Sequence, residues 1–243
     1  MHNSIRLLFL AGWLFAFNVC AHARTDAARV LPTTAAVAAA HPLAAQAGYE
    51  ILAQGGNAFD AAVAVSAALA VVEPYASGIG GGGFWLLHRA RDKFETMIDA
   101  RETAPGKISA AMFIGADGQP ISRASLEGGR AAAIPGLPAG LAHLAKKYGK
   151  LPLKTSLAPA IRLARDGFRI DERYRQMSEI RLELLQNETA LKNLFLDGGA
   201  IPDEKFSLRQ PDLAATLETI GRSSAKAFYS GPLARELVNG ANA

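Results

Sequence analysis

An uncharged stretch of twelve residues constrains the fold of this 243-residue chain more than any other feature. Residues 61–72, AAVAVSAALAVV, contain one hydroxyl and no charged side chain, so a helix formed there has no polar face for water. Asn57 can cap its start, Asp60 favours the dipole of its first turn, and Glu73-Pro74 ends it. Such a helix is too short to cross a bilayer, which takes about 20 residues. The sequence therefore predicts a helix buried within a domain.

A glycine-rich loop follows this helix. In residues 77–85, SGIGGGGFW, Gly78, Gly80 and Gly83 have the G-x-G-x-x-G spacing of dinucleotide-binding loops. Those loops join a strand to a helix, because the pyrophosphate binds the amides of a helix N-terminus. Here a helix enters the loop and a strand-like run leaves it. The order favours a structural role, close backbone packing in a tight turn, and we expect no cofactor.

Two strand-like runs, residues 84–88 and 94–99, flank a polar turn and predict a β-hairpin. Arg101 lies just past the second run, in the sequence DARETAP. A guanidinium held at a strand end can bind a carboxylate through two parallel hydrogen bonds. The alternative is an ordinary ion pair with a neighbour such as Asp99 or Glu102. The residues alone leave both possibilities open.

Helix end signals place the remaining elements. The predicted helices run from Pro42 to Gln54, up to Gly149, over residues 156–166 and 171–187, and from Pro211 and Pro232. His41, His88 and His143 lie far apart in the sequence, so each is expected to cap or pack, and we expect no metal site. The carboxylates of residues 171–187 lie among arginines, which is typical of a solvated helix face.

The first 23 residues differ from the rest of the chain. An apolar run over residues 7–19 ends near Ala-His-Ala, a small-x-small cleavage pattern, and predicts a secretory signal peptide. The run is short for a membrane anchor, and Val19 before Cys20 disfavours a lipoprotein anchor. We expect an exported, periplasmic or extracellular protein without membrane contact after cleavage. The predicted organisation is a signal peptide (1–23), a lead-in (24–40) and one partial domain (41–243).

Composition narrows the possible partners. Half of the residues are hydrophobic and a fifth are charged, which is typical of a globular protein. The net charge of +4 is small and spread along the chain, and aromatic residues do not alternate with basic ones. Nucleic acid is therefore not an expected partner. Cys20 is the only cysteine, so thiol catalysis and disulfides are not expected after signal cleavage.

Several longer motifs resemble one known family. They are NAFDAAVAVSAALAVVEPYASGIGGGGFWLL, DARETAP, AIPGLPAGLAHLAKKYGKLPLKTSLAPAIRLARDGF and QPDLAATLETI with AFYSGPLA, in that order. From about His41 to its end, the chain closely resembles the large subunit of gamma-glutamyltranspeptidases. One departure is Ser223-Ser224, where the family more often has a glycine before the Phe-Tyr pair. This departure puts the geometry of the local turn in question.

The resemblance implies a helix-rich α/β (α+β) fold, an αββα sandwich of the N-terminal-nucleophile hydrolase type that is incomplete in this chain. Such enzymes are made as a precursor that cuts itself into a large and a small subunit. They transfer the γ-glutamyl group of glutathione, or of a related donor, to water or to an amino acid or peptide. Their nucleophile is the threonine at the new N-terminus of the small subunit. No residue of this chain matches that threonine, so the resemblance implies no catalytic residue here and a small-subunit half as partner.

Arg101 is the functional residue that carries over, because it matches the family arginine that binds the α-carboxylate of the glutamyl donor. We expect the N-terminal fragment of a gamma-glutamyltransferase or glutathione hydrolase, inactive alone and with exposed apolar surface. One alternative is a cephalosporin or glutaryl acylase, or a poly-γ-glutamate transpeptidase, on the same scaffold. Another is a degenerate binding protein without activity. A dinucleotide-binding protein is the least favoured.

Overall fold

The structure, a computed structural model, describes residues 35–241. The predicted signal peptide and the first part of the predicted lead-in lie outside these residues. The unit that contains the described helices and strands begins at Val37. Within the described range, no helix is both long enough and apolar enough to cross a membrane.

Two capped helices open the fold. Helix α1 spans Pro42–Ala53, and His41 caps it by accepting a hydrogen bond at Nδ1 from the Leu43 N–H at 3.1 Å. Helix α2 spans Ala58–Val72 and starts with a capping box. Asn57 Oδ1 accepts from the Asp60 N–H, while the Asp60 carboxylate accepts from the Asn57 N–H. The predicted starts of both helices and the capping role of His41 are confirmed.

Eight further helices lie within residues 35–241. They are α3 (Leu137–Tyr148), α4 (Leu153–Asp166), α5 (Glu172–Ile180), α6 (Leu182–Asn187), α7 (Thr189–Phe195), α8 (Pro211–Ser223), α9 (Lys226–Tyr229) and α10 (Pro232–Ala241). The uncharged part of α2 is buried as predicted, because α1, α3 and α4 pack around it. Helix α8 packs on α4 and extends the same core. Two single-turn 3₁₀ helices, Ala110–Phe113 and Gly129–Ala131, interrupt the connection to α3.

The predicted hairpin is confirmed. Strands β1 (Gly83–Arg89) and β2 (Phe94–Ala100) pair antiparallel along their whole length. The inner face packs on the helices, and the Trp85 indole N–H donates to Ser66 Oγ of α2 at 3.2 Å. A second, two-residue pairing joins β3 (Phe168–Arg169) to β4 (Ser207–Leu208). The described part of the chain is therefore helix-rich with small antiparallel sheets, in agreement with the predicted α/β class.

The charged segment 171–187 differs from its prediction as one helix. It contains α5 and α6, which meet at Arg181, where the Arg181 N–H donates to the Ser178 carbonyl in a tight turn. Helix α5 buries Tyr174 and Ser178, and α6 buries no residue. Because the segment has no continuous apolar stripe, packing does not keep it as one straight helix.

Two smaller differences concern helix ends. Helix α4 begins at Leu153 instead of residue 156, because Pro152 takes the N-cap position and the chain is helical directly after it. Ser224, at the end of α8, has a φ of +60°, a conformation that favours glycine. The substitution noted at Ser223-Ser224 therefore falls on a turn whose backbone suits glycine better than serine.

Candidate functional site

Arg101 is the first residue after β2. The last rung of the hairpin pairs Gly83 with Ala100, so the backbone of Arg101 starts beside the glycine loop that leads into β1. Its side chain is exposed. The hairpin thus holds the predicted carboxylate-binding residue at a fixed strand end where a ligand can reach it.

The Arg101 guanidinium is not committed to an ion pair within residues 35–241. None of the carboxylates in this range lies within ion-pair distance of it. Asp99 instead contacts the backbone, since its Oδ1 accepts a hydrogen bond from the Arg101 N–H at 2.9 Å. The alternative ion pair with Asp99 or Glu102 is therefore not formed in the described part of the chain. A planar fork of N–H donors remains for a ligand carboxylate.

Gly82 explains why the loop before β1 is rich in glycine. A Cβ atom built on Gly82 would lie 2.5 Å from the Ala100 carbonyl oxygen, 2.8 Å from Arg101 Cα and 2.9 Å from the Glu102 nitrogen. Real Cβ atoms do not approach backbone this closely. A side chain at Gly82 would therefore displace the backbone of Arg101. The loop serves close backbone packing, as its position between a helix and a strand predicted.

A second glycine contacts the same backbone from the start of α3. A Cβ atom on Gly136 would lie 2.7 Å from the Arg101 carbonyl oxygen. The N–H groups of Gly136 and Leu137 both donate to the Gly81 carbonyl at 3.0 Å. Three backbone segments, residues 81–83, 100–102 and 136–137, are thereby packed against one another. We call this arrangement the glycine cradle.

An apolar cavity of about 670 Å³ lies beside the cradle, between the segment after Arg101 and the C-terminal helices. Gly80, Ile108, Ile134, Tyr229 and Leu237 are among the residues that line it. Its charged lining residues are Lys107 and Arg130, and no acidic side chain lines it within the described range. The cavity has the character of a binding or packing surface, because it contains no pair of groups suited to acid–base catalysis.

The other sequence candidates have structural roles. His88 Nδ1 lies 3.0 Å from Glu95 Oε1 on the exposed face of the hairpin. His143 packs edge-on against Tyr148. In the described range, no group of three or more metal-ligating side chains is placed to hold an ion. Arg101 therefore remains the site residue that the sequence predicted.

Two residues of this site were not predicted from the sequence. They are Asp99, through its hydrogen bond to Arg101, and Gly136, through its packing on Arg101. Asp99 carries a usable signal, because an Asp two residues before a turn often accepts a backbone N–H. Gly136 carries none, because its contact depends on how α3 packs against the hairpin.

Comparisons with known proteins agree with this description. The profile of the family described as Gamma-glutamyltranspeptidase matches residues 44–243. The glutathione hydrolase proenzyme of Bacillus subtilis (strain 168) is 41% identical over 202 residues, which are 83% of this chain and 34% of the relative. The glutathione hydrolase proenzyme of Escherichia coli (strain K12) is 40% identical over 203 residues, 83% of this chain and 35% of the relative. The chain thus spans about a third of the length of these relatives.

Solved structures give the same result. Helicobacter pylori gamma-glutamyltranspeptidase superposes with a TM-score of 0.80 at 38% identity, covering 85% of this chain and 60% of that one. A cephalosporin acylase from Bacillus halodurans superposes with a TM-score of 0.70 at 30% identity, covering 86% of this chain and 42% of that one. These neighbours confirm the fold class inferred from the sequence, a helix-rich α/β fold of the N-terminal-nucleophile hydrolase type. With the profile match over most of its length, the chain belongs to the gamma-glutamyltranspeptidase family.

Proposed function

We propose that residues 41–243 form the donor-binding portion of a glutathione hydrolase, and that Arg101 binds the α-carboxylate of the γ-glutamyl donor. The observation that carries this proposal is the Arg101 guanidinium, which is exposed and has no carboxylate partner within residues 35–241. It stands at a strand end whose backbone packs closely against Gly82 and Gly136. The membership of the chain in the gamma-glutamyltranspeptidase family supports a glutamyl donor as the ligand.

Arg101 contributes binding and orientation. Two parallel N–H···O bonds to the α-carboxylate would fix one end of the donor, so that its γ-amide carbonyl is presented at a constant position. The nucleophile is a threonine supplied by the small-subunit polypeptide. Its hydroxyl attacks the γ-carbonyl, the peptide amine leaves with a proton, and an ester intermediate forms. Water or an acceptor amine then takes the γ-glutamyl group and restores the threonine.

The proposal predicts that the 243-residue chain alone hydrolyses no γ-glutamyl anilide, whereas its complex with the remaining polypeptide of a family precursor, small subunit included, does. In that complex, Arg101→Ala should weaken donor binding by about 2–5 kcal/mol if the charge pair is desolvated. Arg101→Lys should recover part of the loss, because it keeps the charge but not the fork. Arg91→Ala, at an exposed arginine in the hairpin turn, is the control and should leave donor KM unchanged. An unchanged donor KM in Arg101→Ala would overturn this role.

An acylase is the second candidate, favoured by the superposition on the cephalosporin acylase. An arginine fork can bind the distal carboxylate of a glutaryl group as well as the α-carboxylate of a glutamyl group. Measuring kcat/KM for γ-glutamyl and glutaryl anilides in the same complex distinguishes the two functions. A higher kcat/KM for the glutaryl anilide would favour the acylase function, and Arg101 would still bind the carboxylate.

We also propose that the chain is exported and loses residues 1–23. Support comes from the short apolar run and the Ala-His-Ala pattern near its end. N-terminal sequencing of the exported protein should begin at Arg24. A mature protein that still begins at Met1 would contradict export by this route.

A further inference from the structure

We infer that Asp99 is a positioning residue for Arg101, and that it acts together with the glycine cradle by fixing the backbone from which the guanidinium projects. The inference rests on the proposed donor-binding function of Arg101. It adds an explanation of how the Arg101 backbone is held in place before the donor carboxylate binds.

The contact of Asp99 is specific. Its Oδ1 accepts a hydrogen bond from the Arg101 N–H at 2.9 Å, a side-chain-to-backbone turn between residues two apart. Asp99 is exposed, so its side chain does not fill the core. Within residues 35–241, its carboxylate makes no ion pair and no other hydrogen bond. The described contacts therefore leave orientation of the Arg101 backbone as the role of this carboxylate.

The cradle restrains the same backbone sterically. Gly82 packs so closely on the backbone of residues 100–102 that an added Cβ would lie within 3 Å of the Ala100 carbonyl oxygen, Arg101 Cα and the Glu102 nitrogen. Its φ lies outside the left-handed region, so the requirement for glycine here comes from space and not from backbone conformation. The Asp99 hydrogen bond and this close packing both restrain the backbone from which the Arg101 side chain projects.

The glycine loop contains its own control position. At Gly78 the nearest heavy atom to an added Cβ, the Gly80 nitrogen, is 4.0 Å away, and its φ also lies outside the left-handed region. Gly78→Ala and Gly82→Ala therefore make the same chemical change in one loop. They differ in whether the Arg101 backbone has to shift.

Hydrogen exchange on the full 243-residue chain tests the geometry without any activity. In Asp99→Ala the Arg101 amide should exchange about 3- to 10-fold faster than in the wild-type chain, because it loses its acceptor. Asp99→Asn keeps Oδ1 as an acceptor and should retain the wild-type rate. Equal exchange rates in wild type and Asp99→Ala would overturn the inference, whether or not Arg101 binds a donor.

Kinetics in the complex with the remaining precursor polypeptide test the consequence. Asp99→Ala should raise donor KM by about 3- to 10-fold with kcat within about twofold, as expected for a lost hydrogen bond that orients a binding group. Asp99→Asn should restore KM, whereas a role of the Asp99 charge would make Asn as defective as Ala. Gly82→Ala should raise KM and Gly78→Ala should not.

The outcomes separate the two proposals. An active wild-type complex in which Arg101→Ala raises KM, but Asp99→Ala and Gly82→Ala do not, overturns the positioning role and leaves the donor-binding function intact. A wild-type complex with no turnover of any γ-glutamyl or glutaryl donor overturns the proposed function, and the inference that rests on it.

Discussion

Helix α2 and the β1–β2 hairpin are both rich in apolar side chains, but they differ in how much of that surface is covered. The alanine-rich helix is enclosed by α1, α3 and α4, and its Val63 and Val71 are fully buried. The hairpin packs its inner face on the helices and buries Leu87 and Ala100, while on the outer face Leu86 is 84% exposed and its cross-strand partner Met97 is 55% exposed. Two segments of similar apolar composition therefore differ in burial within one chain.

The difference assigns different roles to the two regions. In α2, small side chains allow neighbouring helices to approach, so its sequence is explained by packing within the described unit. In the hairpin, a pair of exposed apolar residues lies on the element that ends at Arg101. Contiguous exposed apolar surface is typical of an interaction face. The outer face of the hairpin is thus a candidate interaction surface, beside the proposed donor site.

The largest expected effect comes from Asp60, a buried carboxylate in the first turn of α2. The Asp60 carboxylate is fully buried and accepts N–H bonds from Asn57 and Lys150 at 2.9 Å and from Leu151 at 3.3 Å. Asp60→Ala leaves these donors without their acceptor and should lower the free energy of unfolding by about 3–5 kcal/mol in urea denaturation.

The hairpin supplies the matched control for Asp60. Asp92 lies in the exposed turn and pairs with Arg89 at 2.7 Å. Asp92→Ala should leave the free energy of unfolding nearly unchanged, because water replaces the lost partner. Equal losses in the two variants would show that Asp60 does not tie α2 to the turn before α4.

A pair of identical substitutions sharpens the comparison. Leu141 of α3 is fully buried, and Leu86 of β1 is the exposed counterpart. Leu141→Ala should lower the free energy of unfolding by about 2–4 kcal/mol, since it opens a cavity, whereas Leu86→Ala should change it by less than about 0.5 kcal/mol. Thermal and urea denaturation of the three proteins measure both values. A loss at Leu86 as large as at Leu141 would mean that the outer face is covered in solution.

Local signals predicted much of the fold. Proline and capping residues predicted the starts of α1, α2, α8 and α10, because the residues that begin a helix lie next to it in the sequence. The uncharged run predicted burial for the same kind of reason, since no arrangement of it has a polar face. The break at Arg181 was missed, because it depends on which side of α5 finds a packing partner. Local propensity does not contain that information.

The site was predictable to a similar depth. The hairpin pattern placed Arg101 at a strand end, and the reversed order of helix, glycines and strand argued against a phosphate-binding loop. The close packing of Gly136 on the Arg101 backbone was not predictable. Gly136 and Arg101 are distant in sequence and meet only when α3 packs against the hairpin. The close approach of two backbone segments depends on tertiary packing, although the glycine that permits it can be seen in the sequence.

The smallest expected effect is a pH dependence of the free energy of unfolding, which arises from a buried tyrosine. Tyr174 in α5 is 2% exposed, its hydroxyl donates to the Phe195 carbonyl at 2.8 Å, and burial raises its pKa from 10.0 to about 12. The folded state then holds a proton that the unfolded state releases above its ordinary pKa of 10.0. Stability is therefore fully present below pH 10 and falls as the pH rises towards 12.

Tyr174→Phe tests this pH dependence. The wild-type free energy of unfolding should fall by about 1–2 kcal/mol more than that of the variant between about pH 9 and about pH 11.5, with the loss of the Phe195 bond as a constant offset. Tyr49→Phe, at a half-exposed tyrosine, is the control for loss of a tyrosine hydroxyl as such. Urea denaturation at both pH values measures the difference. Parallel curves for wild type and Tyr174→Phe would show that water reaches the Tyr174 hydroxyl, and that α5 is less covered than its packing on Phe195 indicates.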